Sequence, residues 1–323
     1  MGLEIQQIIE KEEKIIETAC EKNPWFVPVF VKEALRGISF MLEEEKLSTW
    51  LSKYQLENEK CKNIGIIMAG NIPMVGFHDL LTVIFSENCA IIKLSHNDDV
   101  LIPYLLKMLV KIDPGFKQQI VFRKALSKVD AVIATGSDNT SRYFEHIFKN
   151  SPRLIRKNRT SCCIIDGKES SGDLNEIARD IFSYFGLGCR NVSKIYIPKG
   201  FNIRGLLPHF SNYAWISDHP KYYHNYMFQS SIYTLEHREF IDGQFFLLLK
   251  DPNLVSPVSC LYYEEYEDPE QLGSIITHNM DKIQCIVSRD GWFVDSVPAG
   301  KAQFPEPWDY ADHIDTMKFL SGL

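Results

Sequence analysis

The stretch that decides the fold lies at residues 63–94 and reads NIGIIMAGNIPMVGFHDLLTVIFSENCAIIKL. It begins with the apolar run NIGIIMA (63–69), continues with a helical pattern at 77–86, and ends with the apolar run NCAIIKL (88–94). Short, uninterrupted apolar runs on either side of a helix are typical of parallel strands that are covered on both faces. The stretch therefore predicts a β-α-β unit.

The same alternation continues towards the C-terminus. An amphipathic helix (99–111) is followed by apolar runs at 119–122 and 130–134, by another helix (140–149), and by the run SCCII (161–165). Repeated units of this kind predict a doubly wound α/β domain of the Rossmann type. Ligands of such folds bind at the carboxyl ends of the strands, so the loops that follow the runs are the first candidates for function.

The second half of the chain predicts a second α/β domain. A helical pattern at 172–185 is followed by apolar runs at 194–198, 245–249, 259–263 and 284–288, whereas residues 201–243 show no clear period. We place the boundary near residue 160. This gives a dinucleotide-binding domain with N-terminal helices at 1–160, a catalytic domain at 161–303 and a tail at 304–323.

Composition and charge argue against several classes of protein. The 323 residues are 45% hydrophobic and 24% charged, which is typical of globular proteins, and the net charge of −7 disfavours nucleic acid and anionic membranes as partners. No apolar run approaches the ~20 residues that span a bilayer, and the charged N-terminus does not resemble a secretory signal. The eight cysteines form no CxxC pair, so we expect no metal site and a reducing, cytoplasmic location.

Polar residues follow three of the predicted strands. Asn71 could donate its amide N–H to a developing oxyanion, or it could cap a helix whose first turn suits Pro73. Lys93 could reach a ribose or a phosphate, or it could extend from the strand end into solvent. Gly136 and Ser137 could form an anion site before a helix or an ordinary capping turn, and the full GxGxxG pattern is absent.

Cys189 differs from most of the other cysteines because it lies in a loop, directly after Gly188. An accessible thiol can act as a nucleophile when nearby positive charge lowers its pKa. Arg190 is adjacent, but the C-terminus of the preceding helix disfavours a thiolate. Activation of the thiol is therefore not explained by the sequence, and an inert loop cysteine is the alternative.

Two other polar groups are weaker candidates. His219, His224 and His237 match no standard metal-ligand spacing, so we assign them structural or surface roles. The basic run at 153–159 could face a phosphate group, although a solvated face is the favoured interpretation.

The order of these residues resembles the aldehyde dehydrogenase superfamily, and within it the LuxC-like acyl-CoA reductase family. The stretches that carry the resemblance span about residues 63–200 and read GIIMAGNIPMVGFHDLL, AIIKLSHNDDVLIPYL, AVIATGSDNTSRYF, RKNRTSCCIIDG and FGLGCRNVSKIYIP. The tail WDYADHIDTMKFL is also similar to that family. The resemblance implies an aldehyde-dehydrogenase-like fold, with a Rossmann-type cofactor domain and a second α/β catalytic domain. Self-association is expected by analogy.

The resemblance also implies a role for each candidate residue. Cys189 would form a thioester with the acyl group, and its backbone N–H would form an oxyanion hole together with the side chain of Asn71. Lys93 would bind the ribose of NADPH or NADH, and Gly136 and Ser137 would lie near the pyrophosphate. The partner would be an acyl-CoA or another acyl-thioester donor.

The chain departs from hydrolytic aldehyde dehydrogenases at both of their glutamate segments. The general-base segment Glu-Leu-Gly-Gly corresponds here to residues 156–159 (RKNR), and Leu254-Val255-Ser256-Pro257 stands in place of Glu-x-x-Gly-Pro. A base that activates water would hydrolyse the acyl-enzyme, whereas a reductase must keep it for hydride attack. We therefore expect reduction of a fatty acyl thioester to an aldehyde through acyl-Cys189.

Three other functions remain as alternatives. The first is a hydrolytic or oxidative aldehyde dehydrogenase, against which the missing glutamates argue. The second is a catalytically silent relative that acts as a binding or assembly subunit. The third is a nucleotide-binding regulator without a covalent step.

Overall fold

The computed structural model describes residues 2, 5, 13–55, 61–136 and 138–323. The chain forms two compact units. Unit 1 comprises Met1–Asn158 together with Phe304–Leu323, and unit 2 comprises Arg159–Gln303. The tail, which the sequence analysis treats separately, thus joins unit 1. The functions assigned to the domains remain predictions.

Unit 1 contains a sheet of five parallel strands in the order β3-β2-β1-β4-β5. The strands are β1 (Asn63–Ile67), β2 (Cys89–Lys93), β3 (Ile120–Phe122), β4 (Ala131–Thr135) and β5 (Arg153–Arg156). The strand order reverses between β1 and β4, which defines the switch point of a doubly wound fold. The predicted Rossmann-type architecture is confirmed for this unit.

The described helices of unit 1 precede, separate and follow the strands along the chain. Their bounds are Glu13–Lys22, Pro28–Met41, Glu44–Leu51, Phe77–Phe85, Leu101–Ile112, Asp138–Ile147 and Thr316–Ser321, with 3-10 turns at Pro114–Gln119 and Ala311–His313. Burial explains why the short apolar runs form strands. Ile64 and Ile66 of β1 are at most 1% exposed, and the four residues Ala131–Ala134 of β4 are fully buried. Both faces of these strands are therefore covered, as the uninterrupted apolar pattern predicts.

Arg156 connects the tail to the rest of unit 1. Its guanidinium is 3% exposed and donates hydrogen bonds to Asp79 Oδ1 (2.8 Å), to Thr316 Oγ1 (2.6 Å) and to the carbonyl of Ala311 (2.7 Å). The expectation of a solvated basic face is wrong for this residue, because β5 places it in the interior. There the Asp79 carboxylate and the two oxygens compensate the buried charge.

Unit 2 contains a sheet of seven strands in the order β12-β11-β6-β7-β10-β9-β8. All neighbouring pairs are parallel except β8 with β9. The strands are β6 (Thr160–Ile164), β7 (Val192–Pro198), β8 (Ile241–Asp242), β9 (Leu247–Lys250), β10 (Cys260–Tyr266), β11 (Ile283–Ser288) and β12 (Ser296–Pro298). The second α/β fold is therefore confirmed, with a largely parallel sheet of its own.

The region at 201–243, which shows no clear period, is mainly helical. The helices of unit 2 are Ser171–Phe182, Leu207–Phe210, Pro220–Leu235 and Pro269–Asn279, with 3-10 segments at Ser183–Gly186, Ile203–Leu206 and Ser211–Asp218. Aromatic residues occur on several sides of the helix Pro220–Leu235, since Tyr222 is buried whereas Phe228 is 61% exposed. An amphipathic stripe is therefore not visible in its sequence.

That helix, with 16 residues, is the longest in the described part of the chain. Within the same part, no helix is both long enough and apolar enough to cross a membrane.

Candidate active site

The candidate residues of unit 1 lie at the carboxyl ends of adjacent strands. Ile67, the last residue of β1, pairs with Lys93 of β2 on one side and with Ala134 of β4 on the other. Asn71 is an exposed residue in the loop that follows β1. The structure therefore brings the Asn71 loop and Lys93 to the same edge of the sheet, at the switch point where doubly wound folds bind ligands.

Gly136 follows β4 directly and allows a close approach of the next helix. A Cβ atom at this position would lie 3.0 Å from both Cβ and Cγ2 of Thr140. Thr140 occupies the space beside Gly136, so only a residue without a Cβ atom fits there unless its neighbours move. Ser137, the other predicted residue of this turn, lies outside the described residues.

Lys93 presents a cation at this edge. The residue is partly exposed, and no side chain within the described ranges forms a hydrogen bond or an ion pair with its Nζ atom. A cation at a strand end that has no counter-ion among the described residues can bind a hydroxyl group or an anion of a ligand.

The helix after the Asn71 loop begins at Phe77, with Gly76 as its N-cap residue. The alternative that Asn71 caps this helix is therefore wrong, and Pro73 does not lie in the first turn. The oxyanion role of Asn71 stays a prediction.

Two buried polar residues that the sequence analysis missed fasten the Asn71 loop. The backbone N–H of Met74 donates to the Asp98 carboxylate (2.6 Å), and Asn23 Nδ2 donates to the carbonyl of Gly70 (3.0 Å). Met74 has a φ of 56°, in the left-handed region that residues other than glycine rarely adopt. The hydrogen bond to Asp98 thus holds the loop in a conformation that is unfavourable by itself.

Asp98 is 5% exposed, and its Oδ1 atom is buried without a hydrogen-bond partner in the described structure. Burial raises the pKa of Asp98 to about 7, and the nearby charge of Asp99 adds to this effect, while the Met74 N–H opposes it. The anchor of the Asn71 loop is therefore a carboxyl group that changes its charge near neutral pH.

In unit 2, Cys189 is partly exposed and lies in the loop before β7. The loop follows three successive left-handed residues, namely Tyr184 (φ 51°), Phe185 (φ 58°) and Gly186 (φ 74°). Tyr184 and Phe185 are 5% and 1% exposed, so packing of their rings compensates the unfavourable backbone. The predicted position of Cys189, in a loop between a helix and a strand, is confirmed.

The side chain of Asn191 holds the backbone that precedes Cys189. It is 1% exposed, its Oδ1 accepts the N–H of Gly188 (2.8 Å), and its Nδ2 donates to the carbonyl of Ser183 (2.8 Å). The buried hydroxyl of Ser161 donates to the carbonyl of Cys189 (3.0 Å). The loop that carries the thiol is therefore fixed by uncharged groups.

Exposure alone does not single out Cys189. Four cysteines are buried, namely Cys162, Cys163, Cys260 and Cys285. Three are partly exposed, namely Cys20, Cys89 and Cys189, and Cys61 is exposed. What distinguishes Cys189 is the rigid loop in which its thiol lies.

His219 has a structural role, as predicted. Its Nδ1 accepts the N–H of Tyr222 (3.4 Å) at the start of the helix Pro220–Leu235, and its ring centroid lies 4.6 Å from that of Phe185. It therefore supports the left-handed segment before Cys189.

Solved aldehyde dehydrogenases have the same fold. Aldehyde dehydrogenase 21 of Physcomitrella patens, in complex with succinate, gives a TM-score of 0.68 at 9% identity, over 99% of this chain and 82% of that one. A mutant of aldehyde dehydrogenase C of Pseudomonas syringae, with NAD+ and octanal, gives a TM-score of 0.60 at 11% identity, over 88% of this chain and 70% of that one. Mycobacterium tuberculosis aldehyde dehydrogenase with NAD+ gives a TM-score of 0.58 at 11% identity, over 88% of this chain and 70% of that one. These likenesses define the aldehyde-dehydrogenase-like class of fold.

The family follows from the sequence. Residues 16–204, more than half of the 323-residue chain, match the family described as acyl-CoA reductase (LuxC). The chain belongs to this family, whose description is that of an oxidoreductase, and it has an aldehyde-dehydrogenase-like fold. No curated protein sequence matches it significantly.

Proposed function

We propose that this chain reduces a fatty acyl thioester, such as an acyl-CoA, to an aldehyde through a covalent intermediate on Cys189. The observation that carries the proposal is the Cys189 loop, in which a partly exposed thiol is fixed by Asn191 and Ser161. Membership in the acyl-CoA reductase family supports this type of reaction.

Cys189 acts as the nucleophile in this proposal. Its sulfur attacks the carbonyl carbon of the acyl-CoA, the coenzyme A thiol leaves with the proton, and the acyl group remains on Cys189 as a new thioester. The tetrahedral intermediate carries a negative oxygen, which N–H donors stabilise. We assign this stabilisation to the backbone N–H of Cys189 and to the side-chain amide of Asn71.

The acyl-enzyme must survive until it is reduced, and the structure supports this. Arg156 begins the segment that corresponds to the general base of hydrolytic relatives, and it is buried in a bond to Asp79 (2.8 Å). A guanidinium does not accept a proton from water, and the Asp79 carboxylate is occupied by the ion pair. This observation favours a reductase over a hydrolytic aldehyde dehydrogenase.

The carboxyl edge of unit 1 fits a nicotinamide dinucleotide. The cation of Lys93, and Gly136 directly after β4 and before the helix Asp138–Ile147, suit a ligand with phosphate and ribose groups. Two of the solved aldehyde dehydrogenases named above hold NAD+. We therefore propose that Lys93 binds the ribose and that Gly136 and Ser137 lie near the pyrophosphate. If bound there, NADPH or NADH would supply the hydride that reduces the thioester to the aldehyde, and the sulfur of Cys189 would leave as a thiolate.

The test compares wild type, Cys189→Ala and the control Cys20→Ala, which removes another partly exposed thiol. Consumption of NADPH or NADH is followed with acyl-CoA substrates of increasing chain length. We expect Cys189→Ala to lose at least about 10³-fold in turnover, since the proposed acyl-enzyme forms on this thiol, and Cys20→Ala to retain its rate.

Mass spectrometry without dinucleotide separates the alternatives. An acyl adduct on Cys189 supports the proposal, and an unchanged rate in Cys189→Ala contradicts the assignment of the nucleophile. If wild type forms no adduct and consumes no dinucleotide at any chain length, the catalytically silent subunit is the better description.

A further inference from the structure

Two thiols face each other at the amino ends of β1 and β2. The Sγ atoms of Cys61 and Cys89 lie 2.7 Å apart, and Cys61 is exposed to solvent while Cys89 is partly exposed. Because the strands are parallel, this pair lies at the edge of the sheet opposite to Asn71 and Lys93. The proposed reaction uses neither of the two cysteines.

The backbone holds the two sulfurs together. The N–H of Cys89 donates to the carbonyl of Lys62 (2.8 Å), and the N–H of Lys62 donates to Asn88 Oδ1 (3.0 Å). Asn88 is 1% exposed and its Nδ2 donates to Ser86 Oγ (2.9 Å), so its amide is fixed. These bonds fix the backbone next to both cysteines, so the pairing of the two strands keeps their side chains adjacent.

The two thiols differ in their chemistry. Burial, together with the hydrogen bond and charge of Cys61, raises the pKa of Cys89 to about 11, so Cys89 is protonated at neutral pH. The exposed Cys61 is the thiol that a reagent meets first. Once Cys61 is bonded to another sulfur, its contribution to the raised pKa of Cys89 disappears and Cys89 becomes a better nucleophile.

We propose that Cys61 and Cys89 form a redox-responsive site that a low-molecular-weight disulfide, such as oxidised glutathione, converts to an intramolecular disulfide. The thiolate of Cys61 attacks one sulfur of glutathione disulfide and displaces one glutathione thiolate. Cys89 then attacks the sulfur of Cys61 in the mixed disulfide and displaces the second glutathione. Two protein thiols are oxidised, one glutathione disulfide is reduced to two thiols, and these take up the two protons.

The crosslink closes the loop of residues 61–89, which contains β1 and the helix Phe77–Phe85 and ends at the first residue of β2. Such a link stabilises the folded state, because it restricts the unfolded chain. We expect a rise in Tm of roughly 5–10 °C on oxidation, from the usual effect of a disulfide on a domain of this size.

The experiment incubates the full chain with oxidised glutathione, blocks the remaining thiols with N-ethylmaleimide, and maps the peptides by mass spectrometry. In wild type and in the control Cys20→Ser we expect a peptide pair linked through Cys61 and Cys89. In Cys89→Ser we expect glutathione to remain on Cys61, because the second thiol is missing. Separate glutathione adducts on both cysteines of wild type, two unmodified thiols, or a link to another cysteine would overturn the proposal.

Thermal unfolding gives a second readout. Oxidised wild type should lose its gain in Tm on addition of dithiothreitol, whereas Cys61→Ser should have the same Tm before and after. Cys61 is exposed, so this variant keeps the fold even if a substitution at Cys89 does not. An equal response of wild type and Cys61→Ser contradicts the proposal. Neither readout depends on acyl-CoA or dinucleotide, so the outcome is independent of the proposed reductase activity.

Discussion

The two units hold their candidate residues in different ways. In unit 1 the Asn71 loop follows β1 and is fastened to the buried carboxyl group of Asp98. In unit 2 the Cys189 loop precedes β7 and is fastened to the buried amide of Asn191. A carboxyl group with a pKa near 7 changes charge under physiological conditions, whereas an amide does not. The comparison indicates that a change of pH acts directly on the anchor of the Asn71 loop, whereas the side chain that anchors the Cys189 loop does not titrate.

The largest effect is expected when the neutral anchor is removed. Asn191→Ala leaves the N–H of Gly188 and the carbonyls of Asp180 and Ser183 without their partner in a buried place. Since each unsatisfied buried group costs about 1–3 kcal/mol, we expect a loss of about 4 kcal/mol in the free energy of unfolding. Denaturant unfolding measures this loss. The control Asn225→Ala removes an exposed amide that bonds only within its helix, and it should change stability by less than about 1 kcal/mol.

The second prediction concerns the charged anchor and its pH dependence. The pKa of Asp98 is about 7 in the folded chain against 3.8 as the ordinary value, so between these pH values the folded state binds more protons. The free energy of unfolding therefore falls as pH rises from about 4 to about 7, by on the order of 3 kcal/mol. In Asp98→Asn, the part of this pH dependence of the free energy of unfolding that Asp98 causes should disappear. Urea unfolding at a series of pH values measures it.

The comparison with wild type isolates Asp98 in this experiment. Burial also raises the pKa of Asp180 in unit 2 to about 7. The pH dependence of stability that Asp180 causes is therefore present in wild type and in Asp98→Asn alike. Asp113→Asn is the matched control, because Asp113 also accepts a backbone N–H but is exposed. A slope that is the same in Asp98→Asn and in wild type would contradict the role of Asp98.

The smallest effect is expected for Ser161→Ala, which removes the hydrogen bond to the carbonyl of Cys189. We expect a loss of about 1 kcal/mol in stability and a decrease in turnover of less than tenfold, because Asn191 still holds the loop. Ser288→Ala is the control, since Ser288 is equally buried in unit 2 and its hydroxyl bonds to Ser296 (2.7 Å). It should lose similar stability and keep its turnover. Equal turnover in the two variants would show that the bond to Cys189 does not position the thiol.

The sequence predicts the fold well where burial is continuous. The apolar runs that form β1 and β4 are visible because four residues of each strand are buried, and β2 is apolar as well although only its alternate residues are fully buried. β5 was missed, since its sequence Arg153-Leu154-Ile155-Arg156 has two cations in four residues. These cations are compatible with a strand only because Glu145 and Asp79 pair with them, and such pairing cannot be read from a local pattern.

The candidate site shows the same limit. Asn71, Lys93 and Cys189 stand next to predicted strands, so local order was enough to find them. Asp98 was not found, because its role depends on a contact with Met74, 24 residues away in the sequence. Asn191 was not found either, although it lies close to Cys189, because an asparagine after a loop is usually a turn residue. Its importance follows from burial, which appears only when the chain is folded.

The bonds of Arg156 have a consequence for how the chain is made. Two of its partners, Ala311 and Thr316, lie beyond residue 303, whereas unit 2 is one continuous segment. A ribosome therefore delivers the complete sequence of unit 2 before it delivers the residues that complete unit 1. During translation unit 2 can therefore close its sheet before Ala311 and Thr316 are available to Arg156. At that stage Asp79 is the one of these three partners that has already been synthesised. The order of synthesis thus favours an order of folding in which the unit with the proposed nucleophile is finished first.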